Sequence, residues 1–197
     1  MRIITDLLIT ALYTVFLQNL VLSSGLGMSE AIRASTKPGI FGKFALMISG
    51  FSVATSTVCS VIDSTVKPLE TMPYAVRAAI YAGILAVVYI IVAAILRMIY
   101  GPSAKILGTL GIAALNTLVF AIPHINNSAA YSFAGSIGSG IGAGAAFVVA
   151  AALINCGSRK LAENEDIPEA FKGTPAMFIY VAMLSLAFAG FTDSNIF

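Results

Sequence analysis

Residues 17–27 read LQNLVLSSGLG, and a weaker echo stands at residues 114–127, ALNTLVFAIPHINN. Each begins as an apolar run fit to lie in a bilayer and then loses that character. Asn19, Ser23, Ser24, Gly25 and Gly27 interrupt the first, and Asn116, Thr117, Pro123, Asn126 and Asn127 the second. In hydrocarbon every backbone N–H and C=O needs a partner, so a span can break only where protein or water covers the break. Interrupted segments at corresponding places in two halves of a chain point to a central site in a transport protein. The rest of the chain is therefore expected to be scaffold. Asn19, Ser23, Ser24, Gly25, Gly27, Asn116, Thr117 and Pro123 are the expected lining of that central path.

The composition agrees with a membrane setting. The chain has 197 residues, 58% of them hydrophobic and 10% charged, whereas a soluble domain carries about 25% charged residues. So few charges cannot coat a water-soluble globule, and a multi-pass membrane protein follows. A formal net charge of +2 gives no footprint for nucleic acid. Cys59 and Cys156 lie in apolar runs without a CxxC spacing, so neither a disulfide framework nor a structural zinc site is expected. The N-terminal MRIITDLLIT lacks the small-residue cleavage pattern of a signal peptide and is expected to stay as the first helix.

A spanning helix needs about 20 mostly apolar residues. Six stretches qualify: 7–29, 44–62, 78–96, 106–123, 131–156 and 174–192. Between them, residues 30–43, 63–73, 101–102, 124–130 and 157–173 read as loops or turns, with the heaviest charge in the last. In the fifth span, Ser136 and the glycines at 138, 140, 142 and 144 put small residues four apart on two faces. That spacing lets neighbouring helix backbones approach closely. No strand-like run precedes these glycines and no Lys-Ser/Thr follows them, which argues against a phosphate loop. His124 reads as an interfacial residue, Asp6 and Asp63 as solvated span ends, and Cys59 as a small buried side chain.

Loops after the first, third and fifth spans hold Arg33, Lys37, Lys43, Arg97, Lys105, Arg159, Lys160 and Lys172; the other side holds Arg2, Lys67 and Arg77. The positive-inside rule makes the richer side cytoplasmic and places both termini outside. The halves meet near residues 97–102, giving repeat one at about 1–99 and repeat two at about 100–197 of a single membrane domain. Three spans per half reverse the threading of the second half. The expected fold is an all-α membrane protein of six transmembrane helices, a 3+3 inverted repeat with broken first and fourth helices.

The chain resembles the Rnf–Nqr family of integral membrane subunits, and within it the A subunit of Rnf and the E subunit of the sodium-pumping NADH:quinone oxidoreductase. The resemblance rests on QNLVLSSGLG (18–27), CSVID (59–63), LNTLVF (115–120), DIPEAFKG (166–173) and MLSLAFAGF (183–191). It implies pairing with a homologous membrane subunit of opposite orientation in a bacterial or archaeal cytoplasmic membrane. It also implies a [2Fe–2S] cluster held by two cysteines from each subunit, carrying electrons between flavin-bearing and soluble redox subunits. That transfer would be coupled to Na⁺ or H⁺ movement.

The family pattern has GLC and NC at the ligand positions, where this chain reads Gly25-Leu26-Gly27 and Asn116-Thr117. Neither glycine nor a neutral threonine replaces a thiolate on iron. No cofactor is therefore expected on this chain alone. Two readings follow. In the first the chain is an electron-relay or non-catalytic membrane subunit of an ion-translocating oxidoreductase. In the second it is a cluster-free paralogue, a homodimer or a pseudo-symmetric pair, that moves an ion or small solute.

Overall fold

The computed structural model describes residues 2–37, 39, 41–66, 72–101 and 105–192. Its described residues form helices and no strands: α1 (Arg2–Phe16), α2 (Leu20–Ser23), α3 (Met28–Ser35), α4 (Phe41–Thr65), α5 (Tyr74–Tyr100), α6 (Lys105–Ala114), α7 (Thr117–Ser128), α8 (Phe133–Glu163) and α9 (Thr174–Thr192). Five stretches are long and apolar enough to cross a membrane: Arg2–Ser23, Phe41–Thr65, Tyr74–Tyr100, Ile106–Ser128 and Phe133–Glu163. The apolar helix Thr174–Gly190, part of the expected sixth span, is shorter than these. The chain is a multi-pass, all-helical membrane protein.

Helix α8 is the axis of the bundle, packed along α1 and α4 and touching α3, α7 and α9. Its glycines explain how. A Cβ on Gly138 would strike the Leu7 carbonyl, and one on Gly142 would lie 2.7 Å from the Ala11 carbonyl oxygen, both on α1. A Cβ on Gly140 would lie 2.7 Å from the Val53 nitrogen, and one on Gly144 would lie 2.7 Å from the Ala45 carbonyl oxygen, both on α4. The two glycine faces read from the sequence thus serve two different neighbours. Association of helices in lipid depends on such close packing because the hydrophobic effect between them is weak. Further out, Phe147 stacks on Phe44 with centroids 6.2 Å apart. The Ser56 hydroxyl of α4 donates to the Ser136 carbonyl of α8 at 3.1 Å. A Cβ on Gly157 would enter the Tyr180 ring of α9.

The opposite extreme is α5. Ile90, Ile91 and Met98 are more than half exposed, while Tyr81 and Leu85 face inward. An apolar surface of this kind is ordinary on a helix facing acyl chains.

Several expected boundaries shift. Residues 30–43 are not simply a solvent-facing turn: α3 occupies Met28–Ser35 and buries Ala31, Ala34 and Ser35. Its Ser35 carbonyl accepts from Asn155 of α8 at 2.5 Å. Helix α8 continues through the charged residues 157–163, since Arg, Lys, Leu, Ala and Glu are all good helix formers. Helix α7 runs on to Ser128, so His124 lies inside it rather than in a connection. Lys67 and the tail DSNIF lie outside the described residues.

Candidate functional site

The first span breaks after Phe16. Leu17 and Gln18 both donate their N–H groups to the Tyr13 carbonyl, at 3.0 and 2.8 Å, which closes α1. Asn19 then starts α2, its side-chain oxygen accepting from Leu22 N at 3.3 Å. The amide nitrogen of the same side chain donates to the Val15 carbonyl at 3.1 Å and the Ala146 carbonyl at 3.4 Å. One buried residue thus serves both sides of the interruption and ties it to α8, which is what apolar surroundings require of a broken span.

The second break repeats the device. Helix α6 ends at Ala114, Asn116 is extended (ψ 138°), and its side-chain oxygen accepts from Leu118 N at 2.8 Å to start α7. Asn19 is the third residue of LQNLVL and Asn116 the second of LNTLVF, an offset of one, yet both cap the helix that resumes. Each break sets the end of one helix beside the start of the next, where the aligned peptide dipoles leave partial charges without an ionised side chain.

The two breaks are joined. Gly27 N–H donates to Thr117 Oγ1 at 2.9 Å. Gly27 has φ +74°, and a Cβ there would lie 2.7 Å from Asn116 Oδ1 and 3.3 Å from Leu118 Cβ. Gly27, Asn116 and Thr117 therefore form one contact between segments 90 residues apart. Leu115 and Thr117 are exposed beside it, as are Ser24 and Gly25 on the first-span side, while Ser23 is half-buried. Replacing Thr117 by valine removes the acceptor from Gly27 N–H. It is expected to lower stability by about 1 kcal/mol, read by thermal unfolding in detergent, with Thr117→Ser close to the parent.

Pro123 is not part of this contact. It lies inside α7, one to two turns beyond the break, because α7 tolerates a proline as membrane helices do when neighbours cover the freed carbonyl. Pro123 instead lines a polar cavity of about 360 Å³ together with Ser56, Ser60, Asp63, Asn126 and Asn127.

This second locus is not apparent from the sequence. Asp63 is not a solvated span end: its Oδ2 accepts from the Tyr81 hydroxyl at 2.5 Å and from Asn127 Nδ2 at 3.1 Å. Arg77 Nη1 donates to Asn127 Oδ1 at 2.5 Å, so Asn127 bridges a carboxylate and a guanidinium. Asp63 Oδ1 and Asn126 Nδ2 are buried without a hydrogen-bond partner. The Asn126 oxygen accepts from Ser139 at 2.6 Å.

His124 is also not interfacial. It is 8% exposed, and its ring centroid lies 5.2, 4.7 and 5.3 Å from those of Tyr74, Tyr81 and Phe120. In the connection between α7 and α8, burial and the nearby Tyr13 hold the Tyr131 phenol above its usual range, so it lines the cavity as a neutral group. The signal for this locus is the spacing Ser56, Ser60, Asp63 on one face of α4 and Tyr74, Arg77, Tyr81 on one face of α5. Among the described residues no group of three His, Cys, Asp or Glu side chains is placed to hold a metal ion.

Known proteins are similar to this chain along nearly its whole length. It is 28% identical over 192 residues to the A subunit of the ion-translocating oxidoreductase complex of Colwellia psychrerythraea, covering 95% of this chain and 97% of that one. It is 26% identical over 194 residues to the E subunit of the Na(+)-translocating NADH-quinone reductase of Pseudoalteromonas translucida, covering 92% of this chain and 95% of that one. Over a shorter stretch of 79 residues, 40% of each chain, it is 35% identical to the A subunit of the proton-translocating ferredoxin:NAD(+) oxidoreductase complex of Clostridium ljungdahlii. The family model described as Rnf-Nqr subunit, membrane protein, matches residues 7–193, and with that match over nearly the whole sequence the chain belongs to the Rnf-Nqr family.

Proposed function

We propose that this chain is an integral membrane subunit of an Rnf/Nqr-like complex that couples electron transfer to Na⁺ or H⁺ translocation. The observation that carries the reading is the pair of interrupted spans docked through Gly27 and Thr117 in a chain matched to that family over residues 7–193. The similar proteins are named as subunits of ion-translocating oxidoreductases. We take the six-span, 3+3 inverted repeat as the architecture, with α9 as the last span and both termini outside. The matched capping roles of Asn19 and Asn116 support it. The partner is a homologous membrane subunit threaded the opposite way, with flavin-bearing and soluble redox subunits completing the assembly in a cytoplasmic membrane.

The ion path runs between the polar cavity at Asp63 and the junction of the breaks. Asp63, with one oxygen held by Tyr81 and Asn127 and the other unpartnered, attracts a cation into the cavity. Backbone carbonyls at the ends of α1 and α6 supply neutral ligation deeper in the bundle.

The residues at the family's cluster-ligand positions do not fit iron. Gly27 offers no donor, and its left-handed backbone and contact with Asn116 leave no room for a side chain. Thr117 Oγ1 is engaged by Gly27 N–H. No electron step is therefore assigned to this chain's own ligands.

A tag on this chain should recover the native assembly with redox partners. The chain purified away from them should contain no iron and give no cluster signal by EPR. An iron–sulfur signal from the isolated chain would sink the ligand reading. Recovery as a homodimer without redox partners, moving an ion in liposomes, would establish the second reading, which the missing thiolates favour: a cluster-free transporter of an ion or small solute.

A further inference from the structure

A second, chemically different groove lies where α3 ends and α4 and α6 begin. It encloses about 490 Å³, its mouth carries Arg33, Lys37 and Lys43, and its wall includes Leu46, Met47 and Ile112. That volume is in the range of small-ligand sites, roughly 300–1,000 Å³. The three cationic residues are exposed, and among the described residues none of their side chains has a carboxylate or hydrogen-bond partner. Phe44 is buried beneath the groove, whereas Leu46 is 77% exposed. The wall belongs to helices long and apolar enough to cross a membrane, so it is bathed in acyl chains, and the cations sit at its polar end.

We propose that this groove binds one anionic phospholipid, with its phosphate between Arg33, Lys37 and Lys43 and its upper acyl chains along Leu46, Met47 and Ile112. Arginine offers a planar fork that matches a phosphate, and the two lysines add mobile point charges. Basic pockets between membrane helices select anionic headgroups on these grounds. A soluble phosphate would use the mouth but leave the apolar wall uncovered. An acidic protein segment would have to displace lipid from that wall. The phospholipid is the occupant that meets both halves of the groove.

Binding of phosphatidylglycerol and phosphatidylcholine to the purified chain in mild detergent, followed by native mass spectrometry, tests this. Phosphatidylglycerol is expected to bind at least tenfold more tightly. The triple change Arg33→Gln, Lys37→Gln, Lys43→Gln should remove that preference, each cation contributing roughly fivefold. Neutralising Arg159 and Lys160, exposed near the end of α8, should leave it intact. Ile112→Trp should weaken phosphatidylglycerol through the apolar wall without touching the cations, which keeps the test decisive if the triple variant folds poorly. Equal binding of the two lipids, or phosphatidylglycerol bound at the parent's affinity by both the triple variant and Ile112→Trp, would overturn the proposal. So would complete competition by glycerol 3-phosphate, which would make the mouth a site for soluble phosphates.

Discussion

Replacing Gly140 by leucine is expected to abolish recovery of folded, monodisperse protein, and even alanine there should lower stability by about 1–3 kcal/mol. The obstacle is backbone. A Cβ at position 140 would sit 2.7 Å from Val53 N and 2.8 Å from Val53 Cα, and neither atom can rotate away. The side chain could fit only if α4 and α8 moved apart, and that would disturb the Ser56–Ser136 hydrogen bond and the Phe44–Phe147 stack together. A Cβ added to Gly50 on α4 or to Gly83 on α5 would meet nothing within 4 Å. Gly50→Ala and Gly83→Ala should therefore be neutral or gain about 0.4–1 kcal/mol from reduced freedom of the unfolded chain. Thermal unfolding and size-exclusion profiles of the three alanine variants compare these directly. Equal losses at 50, 83 and 140 would mean that glycine content, not helix contact, sets stability.

The second large effect is functional. Asp63→Asn is expected to reduce coupled Na⁺ or H⁺ uptake at least tenfold, a barrier change of about 1.4 kcal/mol or more, while the chain still folds. Asparagine keeps the shape and one acceptor oxygen for the Tyr81 hydroxyl or the Asn127 amide. What it removes is the negative charge beside the cavity and the unpartnered oxygen. Asp63→Glu should restore part of the uptake. Tyr81→Phe, which deletes one hydrogen bond and leaves the charge, should mainly lower stability, by about 1 kcal/mol. Uptake into liposomes holding the purified assembly, beside electron-transfer rates and unfolding temperatures, separates these outcomes. If uptake by Asp63→Asn matched the parent, the cavity would not lie on the path. If uptake, electron transfer and stability fell together, Asp63 would be structural.

Much of this arrangement is legible in the chain itself. Apolar length gives the membrane setting, and the polar residues inside two apolar runs give the interruptions at Asn19 and Asn116. Small residues four apart give the two close faces of α8, because helical periodicity turns spacing into direction. These are local properties: hydropathy, capping and period act within a few residues.

What the sequence leaves open is every question of which distant groups meet. That Gly27 hydrogen-bonds Thr117, and that Pro123 stands apart from both breaks, depends on how separate helices are laid against α8. Asp63 and His124 depart from expectation for the same reason. At a span end a polar residue is read as wet, yet Tyr81 and Asn127 hold Asp63, and the rings of Tyr74, Tyr81 and Phe120 surround His124. The sequence by itself determined an all-helical chain with broken spans in lipid, since those follow from the partitioning of each segment. Only the tertiary structure decided where its polar groups converge, since a buried polar group is stabilised by partners that packing brings from elsewhere in the chain.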